Sequence, residues 1–238
     1  MTASLAAMLT LWIQHLAKPF TPPERLPIQA VIKPVTDICN GYVIPKDCRQ
    51  IKPSPDVEED WTPWLRKEGA IPVSGSEVYI EMQGTTSAAV ILTGLHIHVT
   101  RLPISTGTFV HASQCGGIDT FRYMEIDLDK SPPAQKAVLN TDLTEEIDPP
   151  IQERRPARFP YQVSLEDAET FVLRLVAKSC TCAWTAEINW LSAGKSGSLK
   201  VNDHGRALQV TSTGAVRDSC GRIPDRPWKC KPGNAADE

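Results

Sequence analysis

His96 and His98 come nearest to metal chemistry in this chain by residue type and spacing. Two residues apart on a strand, they point to one face, and imidazole nitrogen is a common zinc ligand. His111 and Cys115, four residues apart, could complete a four-ligand set. Nothing in the sequence brings the two segments together, and a solvated strand face also explains the alternating histidines. The four residues are therefore candidate ligands, with no metal expected. Glu125, Asp127 and Asp129 share a strand face and could offer carboxylate oxygens to calcium. Any exposed strand face produces the same spacing. Gly194-Lys195-Ser196 imitates the end of a phosphate loop, but its leading glycine position holds Asn189. A strand pattern follows where a helix N-terminus would be needed. No GxSxG elbow occurs. No catalytic residue and no cofactor is expected.

The cysteines bear on compartment. Seven in 238 residues suit an oxidising environment better than a reducing one. Cys39 and Cys48 flank one short loop, and Cys220 and Cys230 flank another, so both pairs could close local rings. Cys180 and Cys182 share a strand face, but a bond across so short a span is expected to be strained. Cys115 is the expected distant partner for one of them. A formal net charge of −3 argues against a dedicated nucleic-acid binder, which would carry a basic footprint.

Strands must position these groups. Between Cys182 and Trp190, apolar Trp184, Ala186 and Ile188 alternate with polar Thr185, Glu187 and Asn189. That period of two marks a strand with one buried face, and it places Trp184 and Ile188 in the core. A turn over Ser192–Gly197 follows, and then Leu199 and Val201 resume the pattern. Similar alternation runs through Val78–Met82, Leu95–Val99, Met124–Leu128 and Phe171–Val176, with a further strand near Ala207–Ser212. Seven or more alternating strands with few stretches able to hold a long helix predict an antiparallel β-sandwich over residues 71–238. Asn140–Arg158, charged and proline-containing, reads as a solvated loop.

The N-terminal third reads differently. Leu5–Leu16 is an apolar run of about twelve residues, short of the roughly twenty that span a bilayer. It lacks the basic start and small-residue cleavage site of a signal peptide. Residues 1–17 are thus expected to be an apolar helix, the remnant of a membrane anchor; the alternative is a helix packed on the domain. Residues 18–70, rich in proline, read as a stalk. Trp61 and Trp64 are expected to anchor it on the domain.

The stretches VILTGLHIHVTR (90–101), CGG (115–117), RYMEIDLD (122–129), FPYQVSLEDAETF (159–171) and 180–214 resemble a group of uncharacterised actinobacterial proteins. Those proteins join a membrane helix to an exported β-rich domain, and some carry a helix-turn-helix segment that is absent here. The resemblance implies a cell-membrane protein with its domain on the extracytoplasmic side; the alternative is a soluble cytoplasmic protein. The expected function is non-catalytic recognition, as by a sensor domain, of a cell-envelope or extracellular ligand, with no nucleic acid as partner. A carbohydrate-binding module, with two or three of Trp61, Trp64, Tyr79 and Tyr123 lined up on one exposed sheet face, is one alternative. A hydrolase with a non-sequential active site is another.

Overall fold

A computed structural model describes residues 25–34, 41–55, 60–112, 122–137, 155–222 and 228–232. Those residues are mainly β, in three sheets. The first sheet runs β1 (Ile28–Pro34), β4 (Glu77–Gly84), β11 (Glu169–Val176), β7 (Arg122–Asp127) and β8 (Ala134–Ala137), with β9 (Arg155–Pro156) also on β7. The second runs β10 (Tyr161–Val163), β5 (Val90–Leu102), β12 (Thr181–Ser192) and β13 (Lys195–Val201), with β14 (Leu208–Thr211) on β12. The third runs β16 (Lys229–Pro232), β15 (Val216–Arg222), β6 (Gly107–Ala112), β2 (Tyr42–Ile44) and β3 (Ile71–Pro72).

Alternation decides what each strand buries. Val78, Ile80 and Met82 of β4 and Phe171, Leu173 and Leu175 of β11 belong to the same core as Leu92, Leu95 and Ile97 of β5. Trp184, Ala186, Ile188 and Trp190 of β12 complete it. The register of β5 against β12 shifts between Asn189 and Trp190, which pair with Gly94 and Leu92. Thr93 is the extra residue, and this bulge lets Leu92 and Leu95 both face inward despite a spacing of three. The β12–β13 hairpin closes on Ala193 (φ 47°) and Gly194 (φ 76°). Two positive-φ residues make the tight turn whose twist matches its strands.

A second cluster gathers Trp61, Trp64, Leu65, Tyr42, Ile44 and Val110. Helix α1 (Thr62–Glu68) carries Pro63 in its first turn, where a missing N–H costs nothing. It ends on Gly69 at φ 70°, with Ala70 N–H donating to Leu65 O. Trp61, Trp64 and Trp228 pack ring to ring, with centroids 5.4–6.2 Å apart. The buried Glu68 carboxylate accepts from Lys46 Nζ at 2.8 Å. Gly107 cannot carry a side chain, because a Cβ there would lie 2.1 Å from Ile44 O.

The structure corrects two expectations. The strands are not all antiparallel: β11 pairs parallel to β7, β15 to β6 and β9 to β7. A parallel pair needs a crossover, and the chain between β7 and β11 supplies one through β8, β9 and β10. Nor do the described residues of the 18–70 stalk run free, since they supply β1, β2 and α1. β1 is an edge strand bounded by Pro27 and Pro34, where proline is tolerated. The expected anchoring role of Trp61 and Trp64 agrees with their burial. Residues 1–17 lie outside the described residues, as does most of the 140–158 loop. Among the described residues no helix is long and apolar enough to cross a membrane.

Trp184 is 1% exposed, whereas Thr185 stands on the opposite, wetter face. Trp184→Ala is expected to cost about 3–5 kcal/mol and Thr185→Ala about 0.5 kcal/mol or less. Chemical denaturation checks the ranking, and the reverse order would mean a register wrong by one residue.

Candidate functional site

Of the four candidate zinc ligands, the described three are not brought together as one group. His96 and His98 lie on the outer face of the second sheet, with His98 Nε2 3.4 Å from Glu187 Oε2. His111 is on β6 of the third sheet, stacked on Phe109 at 5.3 Å. Cys115 lies outside the described residues. The carboxylate row is also broken. β7 ends at Asp127, and Asp129 sits in the turn beyond it. Gly194-Lys195 is a hairpin turn leading into β13, not a phosphate cradle. Of the aromatics expected on one exposed face, Trp61, Trp64 and Tyr123 are buried and Tyr79 is half-buried.

Cys220 pairs with Cys230 across β15–β16, as expected. Cys180 instead bonds Cys182, correcting the expected partnership with Cys115. Their Cα atoms are 5.4 Å apart, inside the disulfide range and shorter than two fully extended residues allow. A bend where the Lys178–Ser179 turn enters β12 makes the bond reachable. Cys48 carries a free thiol, so the expected Cys39–Cys48 ring does not form; Cys39 itself lies outside the described residues. Cys48 opens a one-turn 3₁₀ helix (Cys48–Gln50) capped by Asp47, which holds it beside Asp218. Burial, then Asp218 and Asp47, push its thiol pKa up.

Two polar clusters join the first and second sheets. At one end Asp129 accepts from Lys178 N at 2.7 Å, Ser179 N at 3.0 Å and Ser179 Oγ at 2.5 Å. Desolvation pushes its pKa up, but the hydrogen bonds and Arg101 outweigh this and hold it below its ordinary value. Arg101 of β5 donates to Leu128 O and Lys130 O beside it. At the other end Arg122 Nη2 donates to Tyr161 Oη at 2.5 Å, and the Tyr161 hydroxyl donates to Glu169. Burial, then Glu169, raise the Tyr161 pKa. The Arg122 guanidinium lies 4.1 Å from the Tyr161 ring centroid. These three residues cap Phe171, whose ring meets Tyr161 edge-on.

A pocket of about 400 Å³ opens at that same end. One wall is the β12–β13 hairpin, through Trp190, Ser192, Ala193, Lys195 and Ser196. The other is Arg25, Leu26 and Pro27 ahead of β1, with Thr86 and Ala88 of the β4–β5 loop. Trp190 is held there by β13. It pairs with Gly197, where a Cβ would lie 2.6 Å from the indole. Ser192 Oγ donates to Ala89 O and ties the two walls together. Sequence reading missed this site because Arg25 and Lys195 are 170 residues apart (195 − 25) and meet only through strand pairing.

Comparison with family models, curated proteins and solved structures found no match.

The Asp129 clamp has a testable pH signature. A carboxylate whose folded pKa is lowered contributes stability above its unfolded pKa, near 4, and loses it as pH falls through the folded value. Asp129→Asn is expected to cost about 1 kcal/mol at pH 7, since the clamp is partly open to water. The gap to the parent should shrink as pH falls below the unfolded pKa and close once it passes below the folded one. Urea denaturation at pH 7 and at a series of acid pH values checks this, and a gap that does not shrink with acidification would count against the clamp.

Proposed function

We propose that this chain is a ligand-recognition domain, with the first and second sheets as the two layers of a β-sandwich and the Trp190 pocket as its binding site. The pocket is the observation that supports this reading. Its volume suits a small molecule. It lies among loops at the end of two packed sheets, where function is commonly carried on a rigid scaffold. Trp190 offers an aromatic wall, and Arg25 and Lys195 bring two cationic side chains to the lining. That chemistry favours a sugar-sized ring compound bearing a carboxylate. The carbohydrate-binding alternative moves here from Trp61, Trp64 and Tyr123, whose burial removes them from an exposed platform.

Location follows in the same reading. The two bonded cysteine pairs favour an oxidising compartment. With the resemblance to exported, membrane-tethered proteins, they support an extracytoplasmic domain anchored by its N-terminal segment.

The first test is direct. Isothermal titration with glucuronate and benzoate, and with glucose as the neutral control, is expected to show saturable binding of at least one acid. Arg25→Ala with Lys195→Ala should weaken it about tenfold or more. Failure of both acids to bind, or unchanged binding by the double variant, would overturn the anionic-ligand assignment. Equal binding of glucose would favour the carbohydrate alternative.

The second test addresses compartment. Peptide mapping of unreduced protein from an oxidising compartment is expected to recover Cys220–Cys230 and Cys180–Cys182 as bonded pairs. Cys230→Ser should cost about 2–4 kcal/mol by freeing the loop. Recovery of all four as thiols would count against the exported reading.

A further inference from the structure

The second sheet carries another constellation, on its outer face and separate from the Trp190 pocket. His96 and His98 project there from β5. Directly opposite His96 on β12 stands Glu187. His98 Nε2 already lies 3.4 Å from Glu187 Oε2. Two ligand atoms, each about 2.1 Å from a tetrahedral zinc, lie about 3.4 Å apart. The pair therefore spans one edge of a zinc tetrahedron without rearrangement.

We propose that His96, His98 and Glu187 form a surface site for a divalent transition metal of the zinc class, with two imidazole nitrogens and one carboxylate oxygen as ligands. The fourth position goes to water or to a donor from a partner. His96 completes the set by a rotamer change. Its Nε2 now turns along the strand, 3.9 Å from where a Gly94 Cβ would stand, and Gly94 has no side chain to hold it there. The histidine side chains are exposed, that of His98 65% accessible, so the rotation meets little packing. Glu187 is better held. It is 28% accessible, and Ser198 of β13 hydrogen-bonds its carboxylate. A ligand carboxylate oriented by a neighbouring hydroxyl is what a metal site requires of its surroundings. Lys200, paired opposite Glu187 from the other side, competes for the same carboxylate and weakens the site. Copper and nickel share the ligand preference, so the class is set by the donors.

Among the described residues it is Asp47, Cys48 and Asp218 whose ligand atoms already lie close enough to hold a metal, and the experiment has to silence them. Zinc alone is titrated calorimetrically into the full chain after Cys48 is alkylated. One-to-one saturable binding is expected. His96→Ala, His98→Ala and Glu187→Gln should each weaken it about tenfold or more, with unchanged thermal stability in the absence of metal. Lys200→Ala should tighten it, which a merely structural residue would not do. Cobalt in place of zinc should give the visible absorption of a tetrahedral site, lost in His96→Ala. No saturable binding would overturn the proposal, as would unchanged affinity in both histidine variants. Loss through His98 alone would also overturn it, since that describes a single imidazole and not a site.

Discussion

Strand β12 is hydrogen-bonded along both edges, to β5 over Thr181–Leu191 and on its other side to β14 and then β13. It has no free edge along most of its length, so its register is set by three partners at once. The inward set Cys182, Trp184, Ala186, Ile188 and Trp190 must meet the first sheet as one group, because a slip of one residue would turn all five to water. Burying that row is also what brings the first sheet into place. β4, β11 and β7 supply the opposing side chains of the same core, and burying them against Trp184 stabilises the two sheets together.

Polar groups close the two ends of this core in different ways. Asp129 and Arg101 bond mainly to backbone: the carboxylate takes up the N–H groups of the turn entering β12, and the guanidinium takes carbonyls of the turn leaving β7. Each turn would otherwise leave backbone groups unpaired near the core. Arg122, Tyr161 and Glu169 are side chains bonded to side chains, and they cover the Phe171 ring where the sheets part. Both arrangements consume their charge locally. The Trp190 pocket opens beside the second of these clusters, with Arg25 and Lys195 in its lining.

Much of this was readable from period alone. Seven of the expected strands appear as β4, β5, β7, β11, β12, β13 and β14, and the alternation of core face and wet face is cleanest in β4 and β12. The β5 bulge was hidden, since Leu92 and Leu95 break the period of two that would have joined them. β1 was hidden by composition: Ile28, Ala30 and Ile32 alternate, but the flanking prolines resemble a linker. Parallel pairing was hidden for a different reason. Periodicity says which face a strand buries and is silent on which strand lies beside it. The Cys180–Cys182 bond was misread because an extended strand was assumed at a place where the chain bends.

The same limit explains why the site residues were the least legible part. His96 and His98 were visible as a pair, but Glu187 gained meaning only when β12 was laid antiparallel to β5 in the observed register. Trp190 read as one more core residue of a regular strand. Its position near the hairpin end, against a glycine that leaves room for the indole, makes it a pocket wall instead. Both candidate sites are therefore consequences of the alternation that builds the core. The inward positions of β12 end in the pocket, and one of its outward positions faces the histidines. A single register shift would dismantle the core, the pocket and the histidine face together, so selection for a stable fold also holds these two surfaces in place.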